Sequence, residues 1–205
     1  MRSTNRPDGQ KRSFVEQARR EQITDAAIEV LARDGFSATS LASIATHIGV
    51  SKGVIGYHFG SKSEVLEEVV RRILAGATTW MTAQLGQATS YIEALRTYIT
   101  TNVSYLDQHR DESRALVEVL VNGRTAPEAA AVFAASHQEA LASLEELFSK
   151  GQAAGEFADF TPRTVAVVVR AAIDTVTTRL QSEPDLDVAG FGEELVTLVI
   201  RMVRP

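Results

Sequence analysis

Cysteine is absent from this chain of 205 residues, which excludes disulfide frameworks and thiolate metal sites. Five prolines and a single tryptophan leave few helix breakers and little bulky aromatic material. Long apolar runs are missing too. The most extended aliphatic stretch, Val165 to Val169, is far too short to cross a bilayer, so no membrane association is expected. The first twenty residues are polar and basic and lack the apolar core of a secretory signal, so the expected location is the cytoplasm. Among the histidines His47, His58, His109 and His137, no pair stands three or four residues apart. With no HExxH, no Glu-x-x-His and no glycine-rich phosphate loop, no metal site or cofactor is expected, and an all-helical enzyme is the weaker alternative.

What is present is uneven in charge. Residues 1–62 carry nine Lys/Arg against six Asp/Glu, whereas the remainder carries twelve against twenty, giving the overall −5. A basic head on an acidic body fits a chain that meets a polyanion at one end, although a solubilising head would show the same balance.

The periodicity is helical nearly throughout, and no segment alternates convincingly as a strand. The predicted fold is all-α, with about nine helices. Residues 1–13, polar and containing Pro7 and Gly9, are expected to form a flexible basic arm carrying Arg2, Arg6, Lys11 and Arg12. A first helix is predicted over about 15–34, ending at Gly35 in a left-handed cap. Two short helices follow, then a long one opened by Ser61-Lys62-Ser63-Glu64, whose Ser and Glu have capping-box spacing. Later start signals are Ser90-Tyr91-Ile92-Glu93 and Thr161-Pro162, a cap followed by proline at the first helical position. The expected domains are 14–62, extending with the start of the fourth helix to about 76, and 77–205.

The stretch Thr39–Leu66, TSLASIATHIGVSKGVIGYHFGSKSEVL, has the layout of a helix-turn-helix. Ala45 is small enough to let the two short helices approach, and Gly49 suits a turn that needs positive φ. At 100° per residue, Ile55 and Phe59 point into the bundle. Gly53, Val54 and Tyr57 point away, with His58 at the edge. An outward face of this kind can enter a major groove of double-stranded DNA, and Ser51 and Lys52 at the helix start suit phosphate oxygens. The candidate DNA-binding residues are Thr39, Ser40, Ser51, Lys52, Gly53, Val54, Tyr57, His58 and Lys62.

Ile44-Ala45, Gly49-Val50-Ser51, Gly53, Ile55, Tyr57-His58-Phe59 and Ser61-Lys62, in this order and spacing, resemble the DNA-binding domain of the tetracycline-repressor (TetR) family over residues 17–76. That resemblance implies a three-helix reading head and a six-helix ligand-binding and dimerisation domain. It further implies a homodimer that binds a palindromic operator as a repressor and is released by a small-molecule effector. Control by a protein partner is the alternative. The chain departs from the family at Gly56, where many members carry a phosphate-contacting aromatic.

The resemblance places the dimer seam on the last two helices. The apolar character of VAVVVRAAIDTV on nearly all sides also demands cover. The candidate interface residues are Val165, Val169, Ile173, Val176, Phe191, Leu195, Leu198, Val199 and Met202. For the effector, the candidates are Trp80, Met81, Tyr98, Asn102, Tyr105, Arg114, Glu118, Phe133, His137 and Arg170. Tyr91, Tyr98 and Tyr105 recur every seven residues and serve either core or pocket. Arg114/Glu118 and Arg170/Asp174 are spaced as helical ion pairs, the second at the seam, a pocket wall or a wetted edge.

Overall fold

The computed structural model describes residues 8–86 and 88–205, with side chains from Phe14 onward apart from that of Leu85. Within these residues there are nine α-helices and no strand: α1 (Asp8–Ala38), α2 (Leu41–His47), α3 (Lys52–His58), α4 (Lys62–Leu85), α5 (Tyr91–Gln108), α6 (Arg110–Val121), α7 (Pro127–Ala153), α8 (Pro162–Ser182) and α9 (Val188–Val203). One 3₁₀ turn, Gly123–Thr125, joins α6 to α7.

Local chemistry explains most of the boundaries. Ser40, Ser51, Ser61 and Ser90 each accept a hydrogen bond from the amide three residues on, satisfying one of the donors a helix start leaves open. The glutamates of the two predicted capping boxes reach one residue further back than expected. Glu64 accepts from the amide of Gly60, and Glu93 from that of Thr89. Pro162 is the first residue of α8, but the Thr161 side chain makes no cap. Asp187 caps α9 through the amide of Gly190.

Two expectations about α1 change. The helix opens at Asp8, so part of the expected arm is helical; Arg2 and Arg6 lie outside the described residues. Polarity argues against burial of these first turns, and it does not argue against helix, since Gln, Lys and Arg are good helix formers. At the other end Gly35 has φ 79°, as its role in ending the first helical run requires, and a further turn continues to Ala38.

The head is α1–α3 with the start of α4, packed around Ile23, Ala27, Leu31, Ile44, Ile55, Phe59, Leu66 and Val69. Ala115 and Val119 of α6 and Ala129 of α7 share that apolar cluster, and α1 runs against α6. The body has its own core around Leu95, Ile99, Leu144, Phe148, Val169, Ile173, Val196 and Val199. There α5 packs on α9 and α7 on α8, while α8 and α9 touch each other only slightly.

The C-terminal helices divide the residues expected at the seam into buried and exposed sets. Val165, Val169, Ile173, Val176, Leu195 and Val199 are buried within their own chain, because α8 and α9 turn these residues toward α5 and α7. Of the expected set, Leu198 (63% exposed) and Met202 face outward, and Phe191 is half-buried beneath Arg179. Val167 and Val168 of α8 are exposed as well and were not among the expected residues. Apolar residues lie on both sides of α8, so periodicity alone cannot say which side the chain covers.

Candidate nucleic-acid interface and effector region

The reading helix α3 is short and held from below. Ile55 and Phe59 are fully buried, so the side of α3 that faces the head is fixed by packing. The amide of Val50 donates to Ala45 across the turn, where Gly49 has φ 69°. On the opposite side Ser51, Lys52, Gly53 and Gly56 are exposed, and Tyr57 stands out at 74% exposure. Val54 and His58 are half-buried, with the His58 ring edge-on to Tyr57 at 5.0 Å. This is the sorting that helical period predicts.

Arg20 of α1, absent from the expected set, braces the far end of α3. It donates to the His58 carbonyl, lies 3.4 Å from Glu64 and 3.8 Å from Glu68, and stacks 4.0 Å over the Phe59 ring. Only its position in a basic, polar helix marks it in sequence, and its partners lie 38 or more residues away.

Two of the expected DNA contacts are engaged elsewhere. Thr39 is 2% exposed and its hydroxyl donates to the carbonyl of Gly35, since the kink in α1 turns that carbonyl toward it. Lys62 points inward. Its ammonium donates to the Phe36 carbonyl at 2.7 Å and lies 4.0 Å from the centre of the Phe36 ring. Partial burial pushes the Lys62 pKa down. Ser40 is exposed, but its Oγ is the α2 cap.

The effector candidates divide into three groups. The first gathers Trp80, Tyr105 and His109 beside Glu112. Tyr105 stacks on His109 at 4.0 Å, and Trp80 meets the two rings edge-on at 6.1 and 5.7 Å. The Tyr105 hydroxyl donates to Glu112 Oε2 at 2.6 Å, and burial, then that carboxylate, raise its pKa. Gly76 of α4 makes room for this phenol, because a Cβ there would stand 2.9 Å from the hydroxyl.

The second group ties α5 to α8. Arg170 pairs with Asp174 and donates to Asn102 Oδ1 at 3.1 Å and toward the Tyr98 hydroxyl at 3.4 Å. His137 of α7 lies 3.8 Å from Asp174, at a groove of about 400 Å³ between α7 and α8. Tyr98, Asn102 and Tyr105 recur along one face of α5, with His109 capping its end, so one helix serves both groups.

The third group does not assemble. Arg114 is exposed, and Glu118 gives its carboxylate to the Phe36 amide at 2.8 Å, so the expected pair with Arg114 is replaced by a contact to α1. Met81 packs against the body core and Phe133 against the head cluster. Among the described residues no group of three His, Asp or Glu is placed to hold a metal ion, and no helix is long and apolar enough to cross a membrane.

Comparison with known proteins agrees with this architecture. Residues 23–69 match the bacterial regulatory proteins of the tetR family, and residues 91–199 match the C-terminal domain of BetI-type transcriptional repressors. The HTH-type transcriptional regulator BetI of Vibrio atlanticus is 39% identical over 67 residues, which are 33% of this chain and 34% of that protein. The BetI regulator of Paraburkholderia phymatum is 37% identical over 60 residues, 29% of this chain and 31% of its own. The chain thus aligns with about a third of the length of these curated relatives.

Solved structures extend the likeness of fold to nearly the whole chain. A transcriptional regulator from Saccharomonospora viridis, in complex with choline, superposes with a TM-score of 0.83 at 22% identity, covering 92% of this chain and 99% of that one. A tetR-family regulatory protein from Rhodococcus RHA1 gives 0.78 at 23% identity, covering 91% and 97%. The matched families are regulators of transcription and not enzymes. With its amino-terminal reading head and a carboxy-terminal domain of the BetI type, the chain belongs to the TetR family of transcriptional regulators.

Proposed function

We propose that the protein is a repressor that binds a palindromic operator as a homodimer and is released by a small organic cation. The observation that carries the DNA-binding part is the two-sidedness of α3: Ile55 and Phe59 are sealed in the head, while Ser51, Lys52, Gly53 and Tyr57 are open. Such a helix presents its outer side chains to base edges and its capped start to phosphate.

Dimerisation is supported by the outer faces of α8 and α9. Val167, Val168, Leu198 and Met202 are large apolar side chains left open by the chain's own packing. Pairing these faces about a two-fold axis would cover them and set two heads on two half-sites. Leu198→Glu should shift the protein to monomers in sedimentation, with weakened operator binding and an unchanged helical spectrum.

The effector class follows from the cluster at Trp80. Aromatic rings beside a carboxylate form the chemistry that holds ammonium groups, and the Saccharomonospora viridis regulator of the same fold was solved with choline. This cluster touches α4 at Gly76 and Trp80, and α4 carries the head. A cation that prefers a displaced α4 would shift the population away from the DNA-competent arrangement.

Trp80 is the single tryptophan, so its fluorescence reports the site directly. A titration with choline and larger quaternary amines should change its emission and lower operator affinity over the same concentration range. Glu112→Gln should abolish both responses. If no cation moves either signal while operator binding stays intact, small-molecule control by this class is wrong.

A further inference from the structure

The backbone of Phe36 is gripped on both sides of its Cα. Its N–H donates to Glu118 Oε2 at 2.8 Å, and its carbonyl accepts from Lys62 Nζ at 2.7 Å. The same carbonyl lies 3.3 Å from the Thr39 amide, and the Thr39 hydroxyl closes onto Gly35 at 2.8 Å. Gly35 adopts φ 79° here, a backbone conformation that L side chains rarely take and glycine takes freely.

The three partners come from three parts of the fold. Phe36 lies just past the kink in α1, Lys62 opens α4, and Glu118 sits in the last turn of α6 in the body. Four residues beyond Phe36, Ser40 caps α2, which leads directly into α3. Both bonds to the Phe36 backbone are charge-assisted, the stronger kind, and the Lys62 ammonium also lies over the Phe36 ring. The contact therefore joins body, connecting helix and reading head at one point.

We infer that Glu118 and Lys62 are positioning residues for operator recognition: by clamping the backbone of Phe36 they set the angle at which α2 and α3 leave the body, and so the spacing of the two reading helices. This rests on the dimeric operator-binding reading above. The exposed side chains of α3 that would meet bases lie outside the clamp, whose contacts are to Phe36. Losing the clamp should thus relax the distance between half-sites without changing the letters read in each. Two half-sites must lie about one helical turn of DNA, or a multiple of it, apart, so spacing is a separable readout.

The test selects bound duplexes from a random pool using the full-length wild type, Glu118→Ala, Glu118→Gln and Lys62→Met. The wild type should recover a palindrome of one spacing. Glu118→Ala and Lys62→Met should recover the same half-site letters over a broadened range of spacings, with affinity for the wild-type operator down about tenfold, the scale of one charge-assisted bond. Glu118→Gln, which keeps an acceptor oxygen, should stay near wild type. Lys62→Met should leave the salt slope unchanged, whereas a phosphate contact would cost about one unit of slope.

Sharp spacing retained by both Glu118→Ala and Lys62→Met overturns the clamp alone, as does a flattened salt slope for Lys62→Met. Circular dichroism checks that each variant is folded. If Glu118→Ala loses its helices, Lys62→Met decides by the same spacing criterion. A wild type that selects no duplex overturns the operator reading itself, and the clamp with it.

Discussion

The Tyr57 hydroxyl donates to Glu16 Oε1 across 3.3 Å, tying the outward face of α3 to the exposed flank of α1. A carboxylate beside a surface that meets phosphate opposes binding. Glu16→Gln keeps the size and an acceptor while removing the charge. Operator affinity should rise about two- to fivefold at low salt, the range of an exposed charge interaction, and the gain should fade as salt is added. Fluorescence anisotropy at two ionic strengths checks this, and equal affinities at both would place Glu16 away from the phosphates.

Gly56 and Gly151 should respond oppositely to the same substitution. Nothing lies within 4 Å of a Cβ built on Gly56, and its backbone is ordinary α-helix. Gly56→Ala should therefore stabilise the protein by up to about 1 kcal/mol, the helical cost of glycine. A Cβ on Gly151 would stand 2.2 Å from the Phe157 ring, which itself packs against Phe148. Gly151→Ala should destabilise by about 1–3 kcal/mol through overpacking. Urea midpoints at a fixed m-value measure both.

Arg20 holds the last turn of α3 through the His58 carbonyl and covers Phe59 from above. Arg20→Ala should lower stability by about 1–3 kcal/mol and weaken operator binding without touching any exposed residue of α3. Arg20→Lys should restore only part of this, because an ammonium cannot reproduce the guanidinium fork. Full rescue by lysine would show that charge alone matters at this position.

Acid should loosen the link between the starts of α4 and α7. The Ser63 hydroxyl donates to Glu128 Oε2 at 2.8 Å, and this bond, then the residue's own amide, lower the Glu128 pKa. A lowered carboxyl pKa gives stability that is present above the unfolded value and lost as pH falls through the folded one. Ser63→Ala should therefore melt below wild type at about pH 6, and the gap should narrow as pH falls below the ordinary glutamate range. A gap independent of pH would mean that Glu128 is not the partner that matters.

Much of the reading head was legible because its signals are local. Whether Ile55 and Tyr57 point inward or outward depends only on their angular separation along one helix. The serine caps depend on an amide three residues away. Lys62 failed for the opposite reason: a lysine at a helix start suits phosphate, and only the kink at Gly35 brings the Phe36 carbonyl to its ammonium. Glu118 failed likewise, since helical spacing offered Arg114 while folding supplied an amide 82 residues away.

The order of residues alone therefore determined the all-helical layout, the serine caps and the two-sided α3, because each arises from interactions within a turn or two of chain. Which side of α8 the chain would cover, and which charges would close onto Phe36 or His58, depended on how α1, α4, α6 and α8 came together. Those contacts join residues far apart in sequence, and apolar or charged side chains carry no mark of the partner they will meet.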